Sequence, residues 1–78
     1  MTTGELALLK QSIDKVLLLD FAEEHGVMGK ILFVFDEGET PDCFFLEMSV
    51  AADGSLAERE GGGRSVLLSE IQAVRPMP

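Results

Sequence analysis

Hydrophobic and polar positions change their period along this chain. Leu6, Leu9, Ile13 and Val16 recur at steps of three and four residues, which paints one stripe along a helix. Lys10, Gln11 and Asp14 fall away from that stripe. At the start of the pattern, Thr2-Thr3-Gly4-Glu5 has the Ser/Thr-x-x-Glu spacing of a capping box. Together these signals predict a helix over Thr3–Asp14.

The next segment, Val16–Phe21, has two readings. As a strand it is Val-Leu-Leu-Leu-Asp-Phe, apolar on both faces. As a helix it continues to His25 and stops at Gly26, a good residue just past a helix end. Such a helix would be apolar nearly all round and hard to bury in a small domain, so the strand is preferred. Gly26-Val27-Met28-Gly29 reads as a bend or the start of a strand. Lys30–Phe35 is the clearest strand, rich in β-branched and aromatic residues.

Asp36–Asp42 is a polar turn punctuated by Gly38 and Pro41. Cys43–Val50 is a second strong strand. Simple alternation puts Phe44, Leu46, Met48 and Val50 on one face and Cys43, Phe45, Glu47 and Ser49 on the other. Asp53-Gly54 signals a turn. Ser55–Gly63, with Glu58, Arg59, Glu60 and three consecutive glycines, reads as a mobile loop or hairpin tip. Arg64–Leu68 is a short strand, Ser69-Glu70-Ile71 a one-turn 3₁₀ connector, and Gln72–Arg75 a final strand stopped by Pro76. No repeat or composition break divides the chain, which reads as one domain over residues 1–78.

Sequential short strands joined by turns form antiparallel meanders. The expected fold is therefore mainly β (α+β): an N-terminal helix and a small five-stranded antiparallel barrel, whose closure would remove the sheet edges. This layout resembles the Sm-like, or more broadly SH3-like, small barrel. The residues that carry the resemblance are Lys15-Val16-Leu17-Leu18-Leu19, the stretch from Gly26 to Asp36 with Gly29-Lys30-Ile31-Leu32, and the tail Val66–Val74. The family plan implies that the helix caps one open end. RNA-binding Sm proteins carry a turn asparagine after their hydrophobic motif and an Arg-Gly step before the last strands. Here Asp36-Glu37-Gly38-Glu39 and Gly63-Arg64-Ser65 stand in those places. The asparagine is missing and the Arg-Gly order is reversed, which argues against RNA. In plan the chain also resembles the small acidic Rof-type inhibitors of the Rho termination factor, with their leading helix, acidic balance and a strand ending in a Leu-x-x-Ile step.

Size sharpens the question of what stabilises such a domain. A chain of 78 residues buries only about 60% of its unfolded surface, and domains of this size often add disulfides, a metal or a partner subunit. Cys43 is the only cysteine, and His25 with Cys43 cannot complete a four-ligand zinc site. Oligomerisation is the remaining device. Hydrophobic residues make up 46% of the chain, too many for a disordered segment. Met1–Leu9 lacks a basic n-region and Lys10 follows it, so no signal peptide is expected. The apolar run Val16–Leu19 is too short for a membrane span. A lone cysteine fits a reducing cytoplasm.

The net charge is −8, from 14 acids against 6 bases. That balance argues against binding a phosphate backbone and permits binding to a basic protein surface. Candidate chemistry is sparse. His25 sits with Glu23 and Glu24 in an expected turn and reads as solvated. Cys43, between Asp42 and Phe44, lacks the positive charge a reactive thiolate wants and reads as a half-buried structural cysteine. Gly61-Gly62-Gly63-Arg64-Ser65 lacks the lysine of a phosphate loop. Asp36, Glu37, Glu39 and Asp42 lack the spacing of a calcium loop. They form a solvated turn or an acidic contact patch, and they are the candidate partner-binding residues. No catalytic residue, metal or cofactor is expected.

The apolar runs say more. Leu32–Phe35 and Cys43–Leu46 do not alternate, so both faces of the central hairpin want cover. One face can be the core. The other needs the helix stripe Leu6/Leu9/Ile13 or a second chain, and one short helix cannot cover both strands. The expected function is a non-enzymatic interaction module, homo-oligomeric, that meets a partner through an acidic surface. The alternatives are an RNA-binding regulator using Lys10, Lys15, Lys30, Arg64 and Arg75, and a small ligand-binding protein or enzyme.

Overall fold

The capping box forms as the sequence spells it. In the computed structural model, which describes Met1–Pro78, Thr2 Oγ1 accepts the Glu5 backbone N–H at 3.1 Å and Glu5 Oε1 accepts the Thr2 N–H at 2.8 Å. They open helix α1, Thr3–Gln11. The other oxygen of Glu5 accepts the Val74 backbone N–H at 2.8 Å, so one carboxylate caps the helix and fastens it to the last strand. The helix stops before the expected Asp14. Ser12 Oγ donates to the Leu8 carbonyl at 2.7 Å, and Asp14 takes a positive φ of 66°, a conformation that ends a helix. The Asp14 N–H then donates to the Ile31 carbonyl at 2.7 Å, turning the chain directly into the sheet.

Five strands follow: β1 Val16–Asp20, β2 Val27–Phe35, β3 Asp42–Val50, β4 Leu56–Leu67 and β5 Ala73–Pro76, with a 3₁₀ turn at Leu68–Glu70 before β5. Residues 16–20 are extended, as preferred, and β1 pairs antiparallel with both β2 and β5. The sheet order is β4-β3-β2-β1-β5, and the other pairings are antiparallel too. No ladder joins β4 to β5, so the sheet keeps two edges where full closure would remove them. Pro76 lies within β5 rather than beyond it. An edge strand tolerates proline because one side of it needs no donors.

All five strands and α1 feed one core, in which Leu9, Leu19, Ile31, Cys43, Phe45 and Ile71 are almost wholly enclosed. Cys43 is thus fully buried, not half-buried. Burial, and then the neighbouring Asp42 charge, push its thiol up to about 11. β2 starts three residues earlier than Lys30, through Gly29. A Cβ there would lie 2.6 Å from Phe45 Cδ2, so glycine is what lets the strand pass over that ring.

Of two irregularities in the ladders, one decides which faces are covered. The β2–β3 register shifts between Ile31 and Phe33. Leu32 is an extra residue, and an extra residue inverts the phase of everything after it. Ile31 and Val34 consequently both face the core, while Phe33 and Phe35 turn outward. The β3–β4 register shifts between Leu46 and Met48 through extra residues on β4, which leaves the alternation of β3 intact; Met48 is buried outside the core cluster, while Phe44 and Val50 on the same face are exposed.

Residues 56–63 are not a loop but part of β4. Leu56–Glu58 pair with Met48–Val50, and Gly63 resumes pairing at Leu46. Between them the backbone bulges through Gly61, with φ 67°, and Gly62, where a Cβ would meet the Arg59 and Glu47 carbonyl oxygens at 2.8 and 2.9 Å. The glycines permit a close approach of two strands. The hairpin tip lies earlier, at Asp53-Gly54, where Asp53 Oδ1 accepts from Ser55 N and Oγ. No helix is long and apolar enough to cross a membrane.

Asp20 joins three segments. Its carboxylate accepts a fork from Arg75, Nη2 at 2.9 Å and Nε at 3.2 Å, and the Gly26 N–H at 2.7 Å. The Arg75 bonds, then the Gly26 bond, hold its carboxyl below the usual range. The Thr2 and Val74 backbone bonds do the same for Glu5. Both groups therefore add stability above the ordinary carboxylate range, and that stability is lost as pH falls through their lowered values. The urea midpoint is expected to fall steadily below about pH 4. Asp20→Asn is expected to lower the midpoint at neutral pH and flatten this acid slope. An unchanged slope would show that Asp20 does not couple to folding.

Candidate functional site

The β2–β3 turn brings the predicted acidic residues to one end of the sheet but gives them different roles. Asp36 accepts Lys10 Nζ at 2.7 Å, which holds its carboxyl below the usual range and ties the turn to α1. Glu37 and Glu39 are exposed and carry no ion pair. Asp42 lies on β3 itself, directly across from Phe35 on one side and Leu67 on the other. It is half-buried and has neither a side-chain hydrogen bond nor an ion pair.

Asp42 belongs to a face that sequence reasoning left unresolved. With Leu32 bulged, the outward row of β2 is Phe33 and Phe35, and that of β3 is Asp42 and Phe44. Phe33 sits across from Phe44, and the Phe33 and Phe35 rings stack at 6.3 Å with an 8° interplanar angle. Phe33 is 56% exposed, Phe35 45%, Leu67 40% and Phe44 39%. The helix stripe does not cover this face. Leu9 enters the core, α1 packs on β5 and β2, and Ile13 ends up exposed. The available signal was the apolar run Leu32–Phe35, which demanded cover on two sides.

The basic residues are mostly committed. Lys10 pairs with Asp36, Arg59 with Glu47 at 3.1 Å, Arg64 with Glu24 at 3.0 Å and Arg75 with Asp20 at 2.9 Å. Lys15 and Lys30 are without such partners. Arg64 also lies over the rings of Phe21 and Phe45, at 5.2 and 5.5 Å from their centroids.

Two shallow hollows flank this arrangement. One, of about 340 Å³, is lined by Phe21, Glu23, Glu24, Arg64, Glu70 and Gln72 among others. Within it Glu24 is taken by Arg64, and Glu70 Oε1 accepts the Leu67 N–H at 2.8 Å. The other, of about 480 Å³, is lined by His25, Met28, Glu47 and Arg59 among others. His25 is exposed, with Nδ1 3.9 Å from Asp20 Oδ1. No three His, Cys, Asp or Glu side chains are placed to hold a metal ion. Comparison of the chain with protein families, curated proteins and solved structures gives no match.

Proposed function

We propose that this protein is a non-enzymatic interaction module with an Sm-like, or SH3-like, small-barrel plan, which self-associates and meets a basic partner surface through its acidic side. The observation that carries the reading is the distribution of charge. Four of the six bases are matched to carboxylates, which leaves ten of the 14 acids without a basic partner. Glu37, Glu39 and Asp42 are among those ten, beside an exposed aromatic face. The same matching disfavours RNA, because Lys10, Arg64 and Arg75 are already neutralised.

The small-barrel plan is supported by the leading helix, the four-strand meander and the return of β5 to β1 after a 3₁₀ turn. Self-association is supported by the two open edges, whose backbone N–H and C=O groups offer a ladder to another chain. Sedimentation velocity at micromolar concentration is expected to give a species heavier than the 8.5 kDa chain. A strict monomer that also retains no protein from a cell lysate ends this reading, and a gel shift with single-stranded RNA at low salt would replace it with the RNA-binding one.

A further inference from the structure

Resting on that reading and naming its partner chemistry, we propose that the outward face of β2–β3–β4, formed by Phe33, Phe35, Asp42, Phe44 and Leu67, docks an arginine-bearing, apolar-flanked segment of a different protein. Four large apolar side chains stand exposed on one face of three paired strands. A contiguous apolar patch of this kind marks an interaction surface. Asp42 sits between Phe35 and Leu67 with its carboxylate unmatched. A wholly apolar occupant would strip water from that carboxylate without replacing its hydrogen bonds, which is costly. A guanidinium satisfies both features, because it pairs with a carboxylate through a planar fork and stacks on aromatic rings.

The chain builds this combination once within itself. Arg64 donates to Glu24 while lying over Phe21 and Phe45. The outer face repeats the acceptors, rings with a neighbouring carboxylate, and lacks the arginine. A second copy is a poor donor of it. Its three arginines are all held in ion pairs, and its net charge of −8 brings like charge to like. The occupant is therefore another protein, recognised by a guanidinium set among apolar side chains.

The test is an amide-resolved NMR titration of the whole chain with a short synthetic peptide alternating leucine and arginine, beside the same peptide with citrulline for arginine. The expected result is shift changes centred on Phe33, Phe35, Asp42, Phe44 and Leu67 with the arginine peptide only. Asp42→Asn and Phe44→Ser should each weaken binding by about tenfold or more, the scale of a lost hydrogen bond to a charged group for Asp42 and of a lost apolar and cation–π contact for Phe44. These side chains lie outside the core, and an unchanged dispersed spectrum checks that each variant folds.

Equal binding by wild type and both variants, with shifts spread over Glu37 and Glu39, would overturn the proposal while leaving the broader acidic-surface reading intact. Shifts at the same five residues on raising protein concentration without peptide would assign the face to a second copy and overturn it as well. Binding of neither peptide would also end it, and sedimentation and lysate capture would then decide the broader reading separately.

Discussion

Phe45→Ala is expected to abolish the cooperative fold or bring it to the edge of unfolding. Phe45 is fully buried. Its ring stacks on Phe21 at 6.3 Å, supports the Arg64 guanidinium and lies under Gly29. Truncating a core phenylalanine costs about 3–5 kcal/mol. Scaled per residue, a domain of this length has about 4–12 kcal/mol in all, so the loss is a large share of the whole. Chemical denaturation and amide dispersion will read it. The contact with Gly29 gives an independent check. Gly29→Ala should cost about 1–3 kcal/mol by overpacking against the ring and clearly less in a Phe45→Leu background, where the crowding atoms are gone. Additive costs in the double variant would mean that the ring does not lie where the structure puts it.

Leu9→Ala is expected to have the next largest effect, about 2–5 kcal/mol. Leu9 is the one fully buried side chain of α1, and the helix has only nine residues, too few to persist without packing. Loosening it also releases the Glu5 carboxylate from the Val74 N–H. The Val74 amide should therefore lose hydrogen-exchange protection together with the amides of α1. Ile13 shares the same sequence stripe but ends up exposed, and Ile13→Ala should change stability by less than about 0.5 kcal/mol. Similar costs at the two positions would show that the helix is not anchored as described.

The contrast between Leu9 and Ile13 shows where periodicity stops being informative. Both fit one helical stripe, but the helix ends at Gln11 because Ser12 bonds back to Leu8 and Asp14 takes a left-handed conformation. The acidic turn was legible as composition. The division of labour within it was not, since Asp36 is claimed by Lys10 from far along the chain and Asp42 is placed among apolar side chains by its strand partners.

What the sequence determined by itself was local: the capping box of Thr2 and Glu5, the turns at Gly38 and Gly54, and the N-terminal helix. These depend on interactions within a few residues, which composition and spacing encode directly. Only the tertiary structure decided that residues 16–20 are a strand between β2 and β5, that Leu32 is bulged, that the three glycines form a bulge within β4 rather than a loop, and that Phe33 and Phe35 therefore face outward with Phe44 around Asp42. An added residue inverts a strand's faces without changing its local pattern, and where it is added depends on the register of the strand beside it.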